Sequence, residues 1–214
     1  MTSFSDLWPP SGLTLRSDDL TLSAISDEDL PSLVDLALSG VHEPDVMPFD
    51  VPWTQTPPEE LPRRFAQHYW ELRAGFSPER FTVEFAVRRA GDVVGVQGFH
   101  TTDFTVTRTA ETGSWLAQRY HGQGIGTRMR RMVCTLLFDH LDATQVTSGA
   151  FTDNLASLAV SRKVGYRPDG VIRKNRLGRL ALNQRLVLEP DHFVRGGPVD
   201  VAGVEPLRRF VGLP

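Results

Sequence analysis

The sequence predicts an α/β domain built on a mixed sheet, without the regular strand–helix alternation of a doubly wound fold. Three observations carry this. Two segments with helical apolar spacing come early, around residues 26–40 and 58–74. An antiparallel run of alternating strands follows, from Phe81 to Phe99. From Thr107 to Leu188 the pattern then reads strand, helix, strand, helix, strand. Helices and strands in this mixture pack as layers around one sheet.

Each element has a local reason. Leu13 to Ile25 alternates apolar and polar residues around Ser17-Asp18-Asp19, which predicts strand, turn and strand. Ser26 before Asp27, Glu28 and Asp29 is an N-cap followed by acids in the first turn. Leu30, Leu33, Val34, Ala37 and Leu38 continue that helix to Gly40, a natural stop. His42 to Trp53 holds too many prolines for a helix and too much Phe, Met and Trp for an idle linker, so it predicts an ordered loop lying over something. Leu61, Phe65, Tyr69 and Leu72 resume helical spacing from Pro58 to Ala74. Phe81, Val83, Phe85 and Val87 share one face of a strand, which turns at Ala90-Gly91-Asp92 and returns as Val93 to Phe99.

Thr107 to Leu116 is a further strand ending in Trp115-Leu116. From Gly124, the residues Ile125, Met129, Met132, Val133, Leu136 and Leu137 fit one helical face that ends near His140. Arg128, Arg130 and Arg131 fall off that face and read as solvated. Cys134 reads as a core thiol. Gln145 to Phe151 is a short strand, Asn154 to Val164 a helix stopped by Gly165, and Arg179 to Leu188 another strand. After Pro190 the pattern weakens, and Val199 to Leu213 reads as an arm laid on the body or on a neighbour. Its apolar residues predict a homo-oligomer. The expected division is a domain over residues 13–190 and an arm over 191–214.

Composition narrows the class. At 214 residues the chain can bury one sizeable core, and 40% apolar with 23% charged residues is ordinary for a soluble protein. A net charge of −3 gives no general attraction to nucleic acid or an anionic membrane. A single cysteine excludes an internal disulfide and suits a reducing cytoplasm. No apolar run approaches the ~18 residues of a membrane span. Asp6, Pro9 and Pro10 break any signal peptide. The expectation is a soluble cytoplasmic protein.

Tyr120-His121-Gly122-Gln123-Gly124-Ile125-Gly126-Thr127 carries the chemistry. Glycines on alternate positions bare the backbone where a helix starts, and N–H groups there, with the helix dipole, hold an anion such as a pyrophosphate. No P-loop string is present, and Thr127 stands where a dinucleotide fingerprint needs its third glycine. A bare glycine-rich helix start without a ligand remains the alternative for this motif alone. His42, Glu43, Asp45 and Asp50 lack metal-ligand spacing, so no metal is expected.

A second string, Asn154-x-x-Ser157-x-x-Val160-x-x-Lys163-x-Gly165-Tyr166, accompanies the first. Together they resemble the GNAT superfamily of N-acyltransferases, over roughly Leu13 to Leu188, and within it the branch that acetylates ribosomal-protein N-termini. The loop His42 to Trp53 and Gly113-Ser114-Trp115-Leu116 resemble an actinobacterial subgroup with succinyl-CoA as suggested donor. The resemblance implies a GNAT fold, a mixed central sheet with splayed parallel strands and flanking helices. It implies acetyl-CoA or succinyl-CoA as donor and an amine of a protein or small molecule as acceptor. His121, Gly122, Gln123, Gly124, Ile125, Gly126 and Thr127 would hold the pyrophosphate, Asn154 the pantetheine amide, and Trp115 and Leu116 would flank the arm. Ser157 would stabilise the departing thiolate, because Ser161 stands where many relatives carry a tyrosine. Glu111 is the candidate base, with His100 and Asp103 as lesser candidates. Arg176 occupies the place of a glutamate used in the ribosomal branch. A non-catalytic acyl-CoA-binding module is the competing reading.

Overall fold

The computed structural model describes residues 2–214. Among the described residues nine strands form one sheet in the order β7-β8-β6-β5-β4-β3-β2-β1-β9. They are β1 (Thr14–Ser17), β2 (Leu20–Ala24), β3 (Arg80–Arg89), β4 (Asp92–Thr102), β5 (Thr109–Leu116), β6 (Gln145–Phe151), β7 (Arg167–Arg176), β8 (Arg179–Leu188) and β9 (Asp200–Ala202). Every neighbouring pair is antiparallel except β5 and β6. The helices are α1 (Phe4–Leu7), α2 (Leu30–Leu38), α3 (Leu61–Ala74), α4 (Phe104–Thr107), α5 (Ile125–Thr135), α6 (Leu155–Val164) and α7 (Glu205–Val211). The last turn of α5 widens into a π turn over Leu136–His140.

Strand alternation divides the core. Val83, Phe85 and Val87 of β3 join Phe99, Met129, Met132, Val133 and Leu136 on the face covered by α5. Ala86 and Val96 point the other way, to Leu33 and Val34 of α2 and Phe65 and Tyr69 of α3. The β3–β4 turn uses Ala90 and Gly91, both at positive φ, the geometry that matches the twist of a two-residue hairpin. Leu177 and Gly178 do the same between β7 and β8.

Strand β7 lies outside the sequence reading, which found only its partner β8. Its Arg167-Pro168-Asp169-Gly170 start breaks alternation, its register shifts between Pro168 and Val171, and it is an edge strand with almost every residue exposed. The segment after Pro190 rests on this chain's own body. β9 extends the sheet beside β1, and Leu207, Val211 and Leu213 enter the same core as Leu13 and Leu15. These side chains are therefore not the surface that would join two copies. Among the described residues no helix is long and apolar enough to cross a membrane, and no group of three His, Cys, Asp or Glu could hold a metal.

Candidate active site

The parallel ladder between β5 and β6 is short. It runs from Thr109↔Gln145 to Glu111↔Thr147 and stops there, after which the strands part. Side chains tie the parting strands where backbone pairing ends. Ser148 Oγ donates to the Thr112 carbonyl at 3.1 Å, and Thr112 Oγ1 donates to the Thr147 carbonyl at 3.2 Å. Thr112 Oγ1 also lies 2.9 Å from the buried Tyr166 hydroxyl.

Arg130 corrects the sequence reading of a solvated face. It is 3% exposed, and its guanidinium donates to Gln97 Oε1 at 3.0 Å, Ser148 Oγ at 3.1 Å and Ser114 Oγ at 3.0 Å. The signal was present: Gly126, Arg130, Val133 and Leu137 repeat at 4, 3, 4, so Arg130 lies inside the buried arc of α5. Arg131 Nη2, by contrast, donates to the Lys163 carbonyl.

Beyond the last parallel pair the strands enclose a cleft of about 820 Å³. It collects the predicted residues: Glu111, Trp115 and Leu116, the run His121 to Thr127, Asn154 and Ser157 all line it. Gly122 and Gly124 take φ of +73° and +78°, and a Cβ on either would meet nothing within 4 Å. Left-handed backbone at the head of an eleven-residue helix sets the first-turn N–H groups at the lining of the cleft, which fits a pyrophosphate.

Other predicted residues are more committed. His121 Nε2 lies 3.0 Å from the Leu116 carbonyl, and Gln123 bridges Arg89 at 2.6 Å and the Arg119 carbonyl at 2.9 Å. Asn154 caps α6 by accepting from the Ser157 N–H at 3.1 Å, which leaves its Nδ2 donor over for a ligand. Ser161 is fully buried with its hydroxyl unpartnered and is not among the residues lining the cleft.

Glu111 lies on the rim, half exposed, with Oε2 3.8 Å from His100 Nε2. Both line the cleft, whereas Asp103 does not. Asp153, beside Asn154, is held below the usual carboxylate range by its paired hydrogen bonds from Arg176 at 2.9 and 2.5 Å. Cys134 is buried, which pushes its thiol up to about 11 and removes it as a nucleophile.

The proline-rich loop closes the far wall. Asp50 pairs with Lys174 of β7, Arg176 donates to the Met47 carbonyl at 3.4 Å, and Gln118 holds Glu43. His42, Phe49, Trp53, Trp115, Phe65 and Tyr69 form an unbroken aromatic chain with centroids 5.1–6.3 Å apart. The sequence flagged the loop as ordered but did not bring it to Phe65 and Tyr69, which lie on a separate helix.

The acetyltransferase (GNAT) domain family matches residues 19–167. The chain belongs to the GNAT family. A Bacillus subtilis (strain 168) protein named as a ribosomal N-acetyltransferase, YdaF, is 32% identical over 91 residues, covering 42% of this chain and 49% of that one. A second from the same organism, named as an N-acetyltransferase, YjcK, is 34% identical over 68 residues, covering 32% and 38%. The matched stretch therefore spans at most about half the length of these relatives. Among solved structures, Mycobacterium smegmatis RimJ in complex with a CoA disulfide superposes with a TM-score of 0.70 at 17% identity, covering 94% of this chain and 95% of that one. RimL, a ribosomal L7/L12 α-N-protein acetyltransferase in complex with coenzyme A, gives 0.65 at 20%, covering 82% and 97%. At such identities these likenesses show the GNAT fold, whose mixed sheet with flanking helices is the one described here.

Proposed function

We propose that this GNAT protein moves an acetyl group from acetyl-CoA directly to a primary amine, with the N-terminus of a protein, ribosomal proteins included, as acceptor. The observation that carries the reading is the left-handed Gly122–Gly124 turn at the head of α5, opening onto a cleft between parting parallel strands. The names of the relatives supply the acceptor class.

The N–H groups from Gly122 to Thr127 hold the pyrophosphate, and Asn154 meets the pantetheine amide. Trp115 and Leu116 wall the arm on the β5 side, where backbone N–H freed by the parting strands can polarise the thioester oxygen. Ser157, one turn into α6, offers its hydroxyl to the departing thiolate. Glu111 stands at the rim, where an ammonium enters. Direct transfer suits this open cleft, because among the described residues no activated nucleophile lines it.

Titration calorimetry should give micromolar acetyl-CoA binding that Gly124→Glu abolishes, since a carboxylate there would face the pyrophosphate. Thiol release with a panel of amines and peptides should then show turnover. Tight binding without turnover on any amine would favour a non-catalytic acyl-CoA sensor instead.

Succinyl-CoA as donor has one observation in its favour. The Arg130 guanidinium lines the cleft and is hydrogen-bonded only to neutral partners, so a second carboxylate on the acyl group would find a cation. A ratio of kcat/KM above one for succinyl- over acetyl-CoA would select it.

A further inference from the structure

Glu84 has no part in that reading. It lies on β3, on the sheet face covered by α2 and α3, directly opposite Gly98 of β4, which is itself opposite Gly113 of β5. Gly113 stands two residues past Glu111 and Gly149 two past Thr147, the last parallel pair, so a third glycine continues the row on β6. The sheet is therefore bare in a strip running from Glu84 toward the cleft.

The carboxylate is laid on that strip. A Cβ on Gly98 would come within 2.6 Å of Glu84 Cδ and 2.7 Å of both its oxygens. At Gly113, which lines the cleft, a Cβ would meet nothing within 4 Å. Neighbouring strands lie about 5 Å apart, so the carboxylate sits one strand spacing from open cleft. A cavity of about 20 Å³ lies on the other side of Glu84, against β2 and α3, so a water bridging to the cleft would stand over Gly113, where a Cβ would meet nothing within 4 Å.

Among the described residues no charge compensates it. Arg73, which lines the same small cavity, is committed to Asp27 at 2.6 Å and the Ile25 carbonyl at 3.0 Å. Arg88, further along β3, is paired with Asp29. Tyr69 of α3 faces the cavity as a neutral phenol, pushed above its usual range by burial and by Glu84 itself. His100 and Glu111 are the next titratable groups along β4 and β5 on this face and pair with each other. Burial raises the Glu84 carboxyl to about 8. The neighbouring wall is the aromatic chain, with Trp115 two residues beyond Gly113 and 5.5 Å from Trp53.

We infer that Glu84 is the carboxylate that takes the acceptor's proton: a primary ammonium enters over Gly113, beside Trp115, and faces Glu84 along the glycine strip, directly or through one water. This rests on the acetyltransferase reading above. As the ammonium charge settles beside it, Glu84 gives up its own proton to solvent; the ammonium then loses one proton to the resulting carboxylate and becomes a neutral amine. Its nitrogen forms the bond to the thioester carbon, the C–S bond breaks, and the leaving thiolate takes the second proton from that nitrogen. Glu84 then returns its proton to solvent.

The test compares wild type, Glu84→Gln and Glu84→Asp with acetyl-CoA and a short peptide bearing a free α-amine, from pH 6.5 to 10, with calorimetry of CoA binding alongside. Glu84→Gln should bind CoA as wild type does and lose at least tenfold in kcat/KM at pH 7. That deficit should close above pH 9, where the amine arrives neutral and needs no proton acceptor. A purely structural role would give a loss independent of pH, and that result, or activity within twofold of wild type at pH 7, overturns the inference. Should Glu84→Gln not fold, Glu84→Asp carries the same test, with a smaller loss that closes over the same range. Wild type without turnover on any amine would remove the acetyltransferase reading and this inference with it; turnover by wild type with an unaffected variant removes this inference alone.

Discussion

Arg130 donates to Ser148 across 3.1 Å, and this bond joins α5 to β6 beyond the last parallel pair, where β6 has left β5. The same guanidinium reaches Ser114 on β5, so one side chain spans both arms of the splayed strands from the helix beneath them. The helix that opens with the glycine turn is thus tied to the cleft it serves.

Arg130→Met should destabilise the chain by about 2–4 kcal/mol, because it strands Gln97, Ser114 and Ser148 without their donor in a buried setting. Arg130→Lys should not restore the loss, since one ammonium cannot reproduce a planar fork to three acceptors. Urea unfolding of both variants measures this. A lysine variant as stable as wild type would show that charge alone, not the fork, holds the strands.

Much of the fold was legible because it rests on local signals. The alternation of Phe81, Val83, Phe85 and Val87 gives β3 its buried face, and the positive φ of Ala90 and Gly91 matches the turn predicted there. Asn154 and Gly165 bound α6 as cap and stop. What stayed hidden depends on pairing between distant segments. Glu84 reads as one polar residue in an alternating strand; only the register with Gly98 and Gly113 reveals its strip. Phe65 and Trp53 meet Trp115 only once α3 and the proline-rich loop pack on the same face. β7 was hidden because an exposed edge strand needs no apolar pattern.

Glu84 also sets a pH dependence of stability. Its carboxyl is near 4.5 when unperturbed and about 8 in the folded chain. Between those values the unfolded state releases the proton and the folded state keeps it, so stability falls as pH rises through this window, by up to about 1.4 kcal/mol per unit. The side chain is partly exposed, and solvent reduces the effect to about 1–3 kcal/mol in all. Glu84→Gln, which cannot ionise, should match wild type near pH 5 and melt several degrees higher at pH 8. Scanning calorimetry at the two pH values checks this, and equal melting points at pH 8 would refute it.

The C-terminal segment depends on one glycine. Gly203 has φ of +74°, and a Cβ there would sit 2.0 Å from the Gly12 carbonyl oxygen. Gly203→Ala should therefore lift β9 and α7 from β1 and pull Leu207, Val211 and Leu213 from the core, at a cost of about 2–4 kcal/mol. Truncation at Pro190 should destabilise further. Light scattering run beside the melts separates this from a role between copies: a lowered melting point at unchanged mass places the effect within one chain.

His121 heads the glycine turn, and its geometry gives it two tasks. When Nε2 donates to the Leu116 carbonyl in the neutral ring, Nδ1 bears a lone pair and repels a phosphate oxygen; only the protonated ring offers a donor on each nitrogen. An arginine always carries donors, so His121→Arg should tighten CoA several-fold through a charge-assisted bond to phosphate. His121→Ala removes both the proposed phosphate contact and the tether on Leu116, which lines the cleft. Its CoA affinity should fall about three- to tenfold, and part of that loss should persist for pantetheine fragments that lack the pyrophosphate. Calorimetry with CoA and with such a fragment distinguishes the tasks. A loss seen only with intact CoA would assign His121 to the phosphate alone, and equal losses with both ligands would assign it to the tether.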